Sequence, residues 1–176
     1  EGTPFGRLAS EGKLRRCTEE QGRRFFTYTS NFLQDHGFAH YEVSNFAKRE
    51  GLFSRHNQKY WQRTPYLGIG PAAHSFRYNQ RWWNTGSVGD YCRLLREGRL
   101  PVAGRENLSP EQERLERLML GFRTGRGVDM DDVIGRSSGR EVLGRLSSSG
   151  IVRIEGKRVS PTLYGYLIAD RLPLIF

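Results

Sequence analysis

The sequence predicts an α/β fold: the last part of a β/α unit, followed by a small helical, winged-helix-like domain with a short antiparallel sheet. Three observations predict it. A capped helical pattern stopped by Gly37 runs straight into a strand-like run over 38–43, the helix-to-strand half of a βαβ repeat. From Ser109 onward the chain changes to three helical patterns, a hairpin pattern and a closing helix. Between the two lies an irregular stretch, 100–108, with Pro101 and Gly104, which marks the expected boundary between residues 1–107 and 108–176.

In order along the chain, residues 1–16 read as a loop punctuated by Gly2, Pro4, Gly6 and Gly12. Thr18, Glu19, Glu20 and Gln21 form a capping box with carboxylates at the positive end of the helix dipole. Phe25, Phe26, Thr29, Phe32 and Leu33 continue at helical spacing. Along the strand that follows, Glu42 and Ser44 fall on one face and Tyr41 and Val43 on the other. Residues 48–56 form a polar, basic loop, and Asn57 stands as the cap of a short helix through Tyr60 and Trp61. Residues 66–70 read as a strand ending in glycines, 75–78 and 81–84 as a hairpin around Asn79-Gln80, and Val88–Arg96 as a helix stopped by Gly98. Ser109, Pro110 and Gln112 open a strong helix, followed by shorter helices over 129–134 and 140–146. A hairpin, 151–154 with 158–159, and a helix over 161–172 close the chain. The expected core of this part is Leu115, Leu118, Met119, Phe122, Val142, Leu146, Ile151, Ile154, Tyr164 and Leu167.

Composition narrows the functional classes. The chain has 176 residues, with 28 Lys+Arg against 19 Asp+Glu. No apolar run approaches the roughly 18 residues that span a bilayer, and no secretory leader pattern is present. Cys17 and Cys92 are far apart, which argues against a zinc framework or a disulfide scaffold and for a reducing, cytoplasmic setting. A start at Glu1-Gly2-Thr3-Pro4-Phe5, with no initiator Met, is what the back portion of a longer protein would show. Positive charge is diffuse: no basic run exceeds pairs such as Arg15-Arg16, Arg23-Arg24 or Lys48-Arg49. Residues 1–107 hold 17 Lys+Arg and 10 Asp+Glu, a net +7, and residues 108–176 hold 11 and 9, a net +2. A winged-helix nucleic-acid binder needs a basic recognition helix, yet 140–146 offers Arg140 and Arg145 against Glu141, so specific nucleic-acid binding is not expected.

Four ordered segments are more specific: residues 1–5 (EGTPF), 41–47 (YEVSNFA), 55–61 (RHNQKYW) and 66–75 (YLGIGPAAHS). Together they resemble the back half of the oxygen-independent coproporphyrinogen III oxidase family of radical S-adenosylmethionine (SAM) proteins, and within it the HemW-type haem-chaperone branch. The resemblance implies the C-terminal part of a partial (β/α) barrel carrying a [4Fe–4S] cluster and SAM, followed by the family's C-terminal helical domain. The family's three-cysteine motif, C-x3-C-x2-C, has no match here, so this chain alone is expected to be catalytically silent.

The resemblance also singles out residues. His56-Asn57-x-x-Tyr60 matches an H-N-x-x-Y motif linked in that branch to haem binding, which makes His56 the candidate iron ligand and Asn57 and Tyr60 its companions. Trp61 or Tyr66 would stack on the porphyrin, and Arg55, Lys59 or Arg63 would meet its propionates. The plain alternative keeps Asn57 as a cap and Tyr60 and Trp61 as core. Gly68 and Gly70, with His74 just beyond, are candidates for the rim of a SAM or substrate cavity, or else glycines packing a strand end before a surface histidine. Glu42, Ser44 and Ala47 are candidates on the strand and its rim, Glu42 for a SAM amine or else a buried carboxylate satisfied by Arg. His36 and His40 show no functional signal, and Trp82-Trp83 read as interdomain core. Expected partners are haem or a porphyrinogen, haem-acceptor proteins and a peripheral membrane surface. The leading reading is haem binding for delivery; the alternative is oxidative decarboxylation of coproporphyrinogen III.

Overall fold

A computed structural model describes every residue except Glu1, Arg15, Arg16, Arg136 and Ser137. Glu1 of the first motif segment and the Arg15-Arg16 pair thus lie outside the described residues. Thr3 accepts a hydrogen bond from Gly6 N at 3.1 Å and Pro4 takes the first helical position, so a helix, α1 (Pro4–Ser10), forms where a loop was expected. The Thr18–Gln21 capping box closes in both directions and starts α2 (Glu19–Asp35). The next strand, β1 (Ala39–Glu42), turns back at once into β2 (Asn45–Ala47), with His40 opposite Phe46 and Glu42 opposite Asn45. Every strand pairing among the described residues is antiparallel, so the helix-to-strand step is not continued into a βαβ repeat within them. Ser44 consequently sits in the turn and does not share a strand face with Glu42.

Ser54, not Asn57, caps the short helix α3 (Arg55–Trp61): its Oγ accepts from Asn57 N at 3.3 Å. Residues 66–70 do not form a strand. Only Tyr66 bridges to Phe76, while Gly68 N donates to Ser75 Oγ at 2.9 Å and Gly70 N to the Tyr91 hydroxyl at 3.0 Å. Strands β3 (His74–Arg77) and β4 (Gln80–Asn84) make the expected hairpin, and Ser87 caps α4 (Val88–Arg96). The stretch expected to be irregular is strand β5 (Val102–Asn107), paired along β4. Pro101 precedes the strand, and Gly104 leaves its side-chain space to the Trp83 indole, which an added Cβ would meet at 2.4 Å. Trp82 and Trp83 stay with this sheet and take no part in the core below.

The second capping box, Ser109 with Gln112, opens α5 (Pro110–Gly121). After it come β6 (Val128–Asp129), α6 (Met130–Ile134), α7 (Gly139–Ser148), β7 (Val152–Glu155), β8 (Arg158–Pro161) and α8 (Leu163–Tyr166). The wing has three strands, in the order β6-β8-β7, instead of two. The closing helix is a single capped turn, because the chain beyond it must bury Ala169, Leu172 and Phe176 together. Leu118, Phe122, Val133, Leu143, Val152, Val159, Leu172 and Phe176 form the core, with Phe122 and Phe176 stacked at 6.0 Å. Val142, Leu146 and Ile151 pack against it as expected. Met119, Ile154 and Tyr164 do not: they are exposed, since α5 turns Leu118 and Phe122 inward and α8 buries Tyr166 in place of Tyr164.

Candidate functional site

The site grows from α3 and the segment facing it. One helical turn separates His56 from Tyr60, whose rings meet edge-on with centroids 5.0 Å apart. Tyr60 in turn meets Tyr66 at 4.8 Å, and burial beside Tyr60 pushes the Tyr66 phenol above its ordinary range. His74, the first residue of β3, lies opposite Trp83 in the sheet and stacks on its indole at 5.8 Å. His56, Lys59, Tyr60, Tyr66, Gly68 and His74 line a half-open surface cavity of about 500 Å³, with Leu67, Ile69 and Ala73 as apolar edges; both histidines are exposed in it.

Behind the cavity, α3 is fastened to the β1–β2 hairpin. Glu42 is fully buried, and its carboxylate accepts from Asn45 Nδ2 at 2.8 Å, Asn57 Nδ2 at 3.2 Å and Gln58 Nε2 at 3.1 Å. Three amides satisfy it, not an arginine. Asn57 thus serves as a tie and neither caps the helix nor lines the cavity.

Of the residues singled out from the sequence, His56, Tyr60, Gly68 and His74 come together in this cavity. Gly70 is turned to Tyr91, Ala47 is buried opposite Ala39, and Ser44 lines a separate hollow with Arg123 and Tyr166. Trp61 faces away, toward a hollow shared with Thr124 and Arg126, so of the two rings expected to stack only Tyr66 lines the cavity, beside Tyr60. Arg63 is engaged by Glu113 at 3.3 Å and Glu116 at 2.8 Å, with its guanidinium over the Phe76 ring, and Arg55 does not line the cavity, which leaves Lys59 as its cation. Leu67 and Ile69, 69% and 83% exposed, join the cavity although the sequence signal of this segment rests on its glycines and His74.

Among the described residues no three His, Cys, Asp or Glu side chains converge to hold a metal ion, and Cys17 and Cys92 are free thiols. No described helix is long and apolar enough to cross a membrane.

No family model matches the chain. It is 30% identical over 176 residues to the heme chaperone HemW of Bacillus subtilis, covering 97% of this chain and 46% of that protein. It is 31% identical over 169 residues to the heme chaperone HemW of Mycobacterium tuberculosis, covering 96% of this chain and 43% of that protein. The chain is a homologue of the HemW-type radical SAM proteins. It spans less than half the length of these HemW relatives. The fold agrees: coproporphyrinogen III oxidase (HemN) of Escherichia coli, a radical SAM enzyme, superposes with a TM-score of 0.66 at 15% identity, over 95% of this chain and 44% of that one. In this HemW homologue the H-N-x-x-Y residues fall into two roles, His56 and Tyr60 on the cavity and Asn57 on its foundation.

Proposed function

We propose that this cavity is where the HemW homologue holds haem for delivery to an acceptor protein. The observation that carries the reading is that His56, Tyr60, Gly68 and His74, drawn from two separate sequence motifs, line one cavity of about 500 Å³. That size falls within the usual range of ligand pockets, about 300–1,000 Å³. The donor set also fits. A porphyrin brings its own four nitrogens to iron, so one or two imidazoles suffice where a bare metal ion would need three or more side chains. His56 would supply the imidazole, Tyr60 and Tyr66 the aromatic faces, Leu67 and Ile69 the apolar contact, and Lys59 the partner for a propionate. The relatives named heme chaperones support delivery over oxidation, since the likeness to the oxidase is one of fold.

The same reading assigns the cluster and SAM to residues outside this chain, because Cys17 and Cys92 do not form a three-cysteine motif. It keeps the protein in the cytoplasm and divides the chain at 107/108, with every residue lining the cavity in the first part. The test is a haemin titration of the protein at its full natural length. His56→Ala is expected to abolish or shift the Soret band, and His36→Ala to leave it alone. Identical spectra and affinities for wild type and His56→Ala would remove the haem site from this cavity.

A further inference from the structure

We infer that His74 is the second imidazole offered to the iron of haem in this cavity, one ligand coming from a helix and the other from a strand. The inference rests on the haem reading of the cavity just proposed. The chain has four histidines. His36 has its Nδ1 2.7 Å from Phe32 O and its ring against the Phe32 ring at 4.2 Å. His40 is engaged at both ring nitrogens, by Ser30 Oγ at 2.9 Å and Val43 O at 3.3 Å, and is packed against Phe26, Phe46 and Tyr166. Those two are committed to the fold. His56 and His74 line the same cavity, and among the described residues neither has a hydrogen-bond partner for its ring nitrogens.

His74 is also held in a way that suits a ligand. Its backbone is fixed by pairing with Trp83, and its ring lies 29° from the plane of the Trp83 indole. Gly68 presses on its carbonyl so closely that a Cβ there would lie 2.1 Å from His74 O. His74 is exposed, as a surface histidine would be; the indole orients one face of its ring and leaves both nitrogens unused and open to a ligand. Of the other lining residues only Lys59 carries a nitrogen donor, and none carries sulfur. Tyr60 and Tyr66 add phenol oxygens, but each of these rings is engaged edge-on by a neighbour, whereas a neutral imidazole is a standard axial donor to haem iron.

The test is a haemin titration of the full natural protein, read by optical and electron paramagnetic resonance spectra, with folding followed by far-UV circular dichroism. Wild type is expected to give a six-coordinate, low-spin spectrum. His74→Gln and His74→Gly should retain haemin but turn high-spin, and added imidazole should restore the low-spin spectrum of His74→Gly. Three outcomes overturn the inference while leaving the haem site in place: a high-spin wild type that depends on His56, His74 variants that remain low-spin, or a loss of haemin that imidazole does not restore. A wild type that takes no haemin, or a His56→Ala form indistinguishable from it, overturns the haem reading itself.

Discussion

Glu42 is a buried carboxyl group with no Lys or Arg bonded to it, held by Asn45, Asn57 and Gln58. Removing the carboxylate strands three half-buried donors, each worth about 1–3 kcal/mol when left unpaired and shut off from water, so Glu42→Ala should lower stability by about 2–4 kcal/mol after local relaxation. Urea unfolding followed by circular dichroism checks this, and a loss below about 1 kcal/mol would mean that water replaces the carboxylate. Nearby, burial among aromatic rings pushes the His40 imidazole below its ordinary 6.5, outweighing the backbone bonds that favour its charged form. The folded chain therefore resists a proton that the unfolded chain accepts. The His40 contribution to stability is present above pH 6.5 and is lost as pH falls through the lowered folded value. Urea midpoints should drop on the acid side of that point, and the drop should shrink in His40→Phe, which keeps a ring against Phe46 without a titrating nitrogen.

The two capped helices, α2 and α5, were the most legible elements, because a side-chain cap and a helical stripe are local signals that tertiary contacts only reinforce. The facing of α5 gives a sharp test. Leu118→Ala, at a fully buried position, should cost about 2–5 kcal/mol in urea unfolding, whereas Met119→Ala, 48% exposed, should cost well under half as much. Less legible were the elements whose identity depends on a distant partner. Residues 66–70 have the alternation of a strand but no strand alongside beyond Tyr66; Ser75, Asn84 and Tyr91 side chains take up their backbone groups instead. Residues 102–107 follow Pro101 and contain Gly104, yet β4 offers a free edge and a tryptophan to cover the glycine. The site was half legible for the same reason. His56 and Tyr60 follow from helical spacing, but nothing local says that His74 joins them or that Asn57 points back to Glu42.

At the scale of the molecule, α5 is the hub. Glu116 meets both Arg63, which follows α3, and Arg81 of β4, and Glu113 also meets Arg63. Arg63 is only 14% exposed, so Glu116→Ala leaves a largely buried cation short of a partner and should destabilise the whole chain by about 1–3 kcal/mol. Glu106→Ala, at a pair nearly half open to solvent, should change stability by less than about 1 kcal/mol. The matching urea midpoints separate a structural hub from decoration. The cage around Glu42 has a temporal consequence as well. Its donors are asparagine and glutamine amides, groups that hydrolyse slowly to carboxylates. Each such event would replace an amide donor to Glu42 with a second acceptor, removing one of its three hydrogen bonds. A change at Asn57 or Gln58 would loosen the tie between α3 and the β1–β2 hairpin, and with it the support behind the cavity.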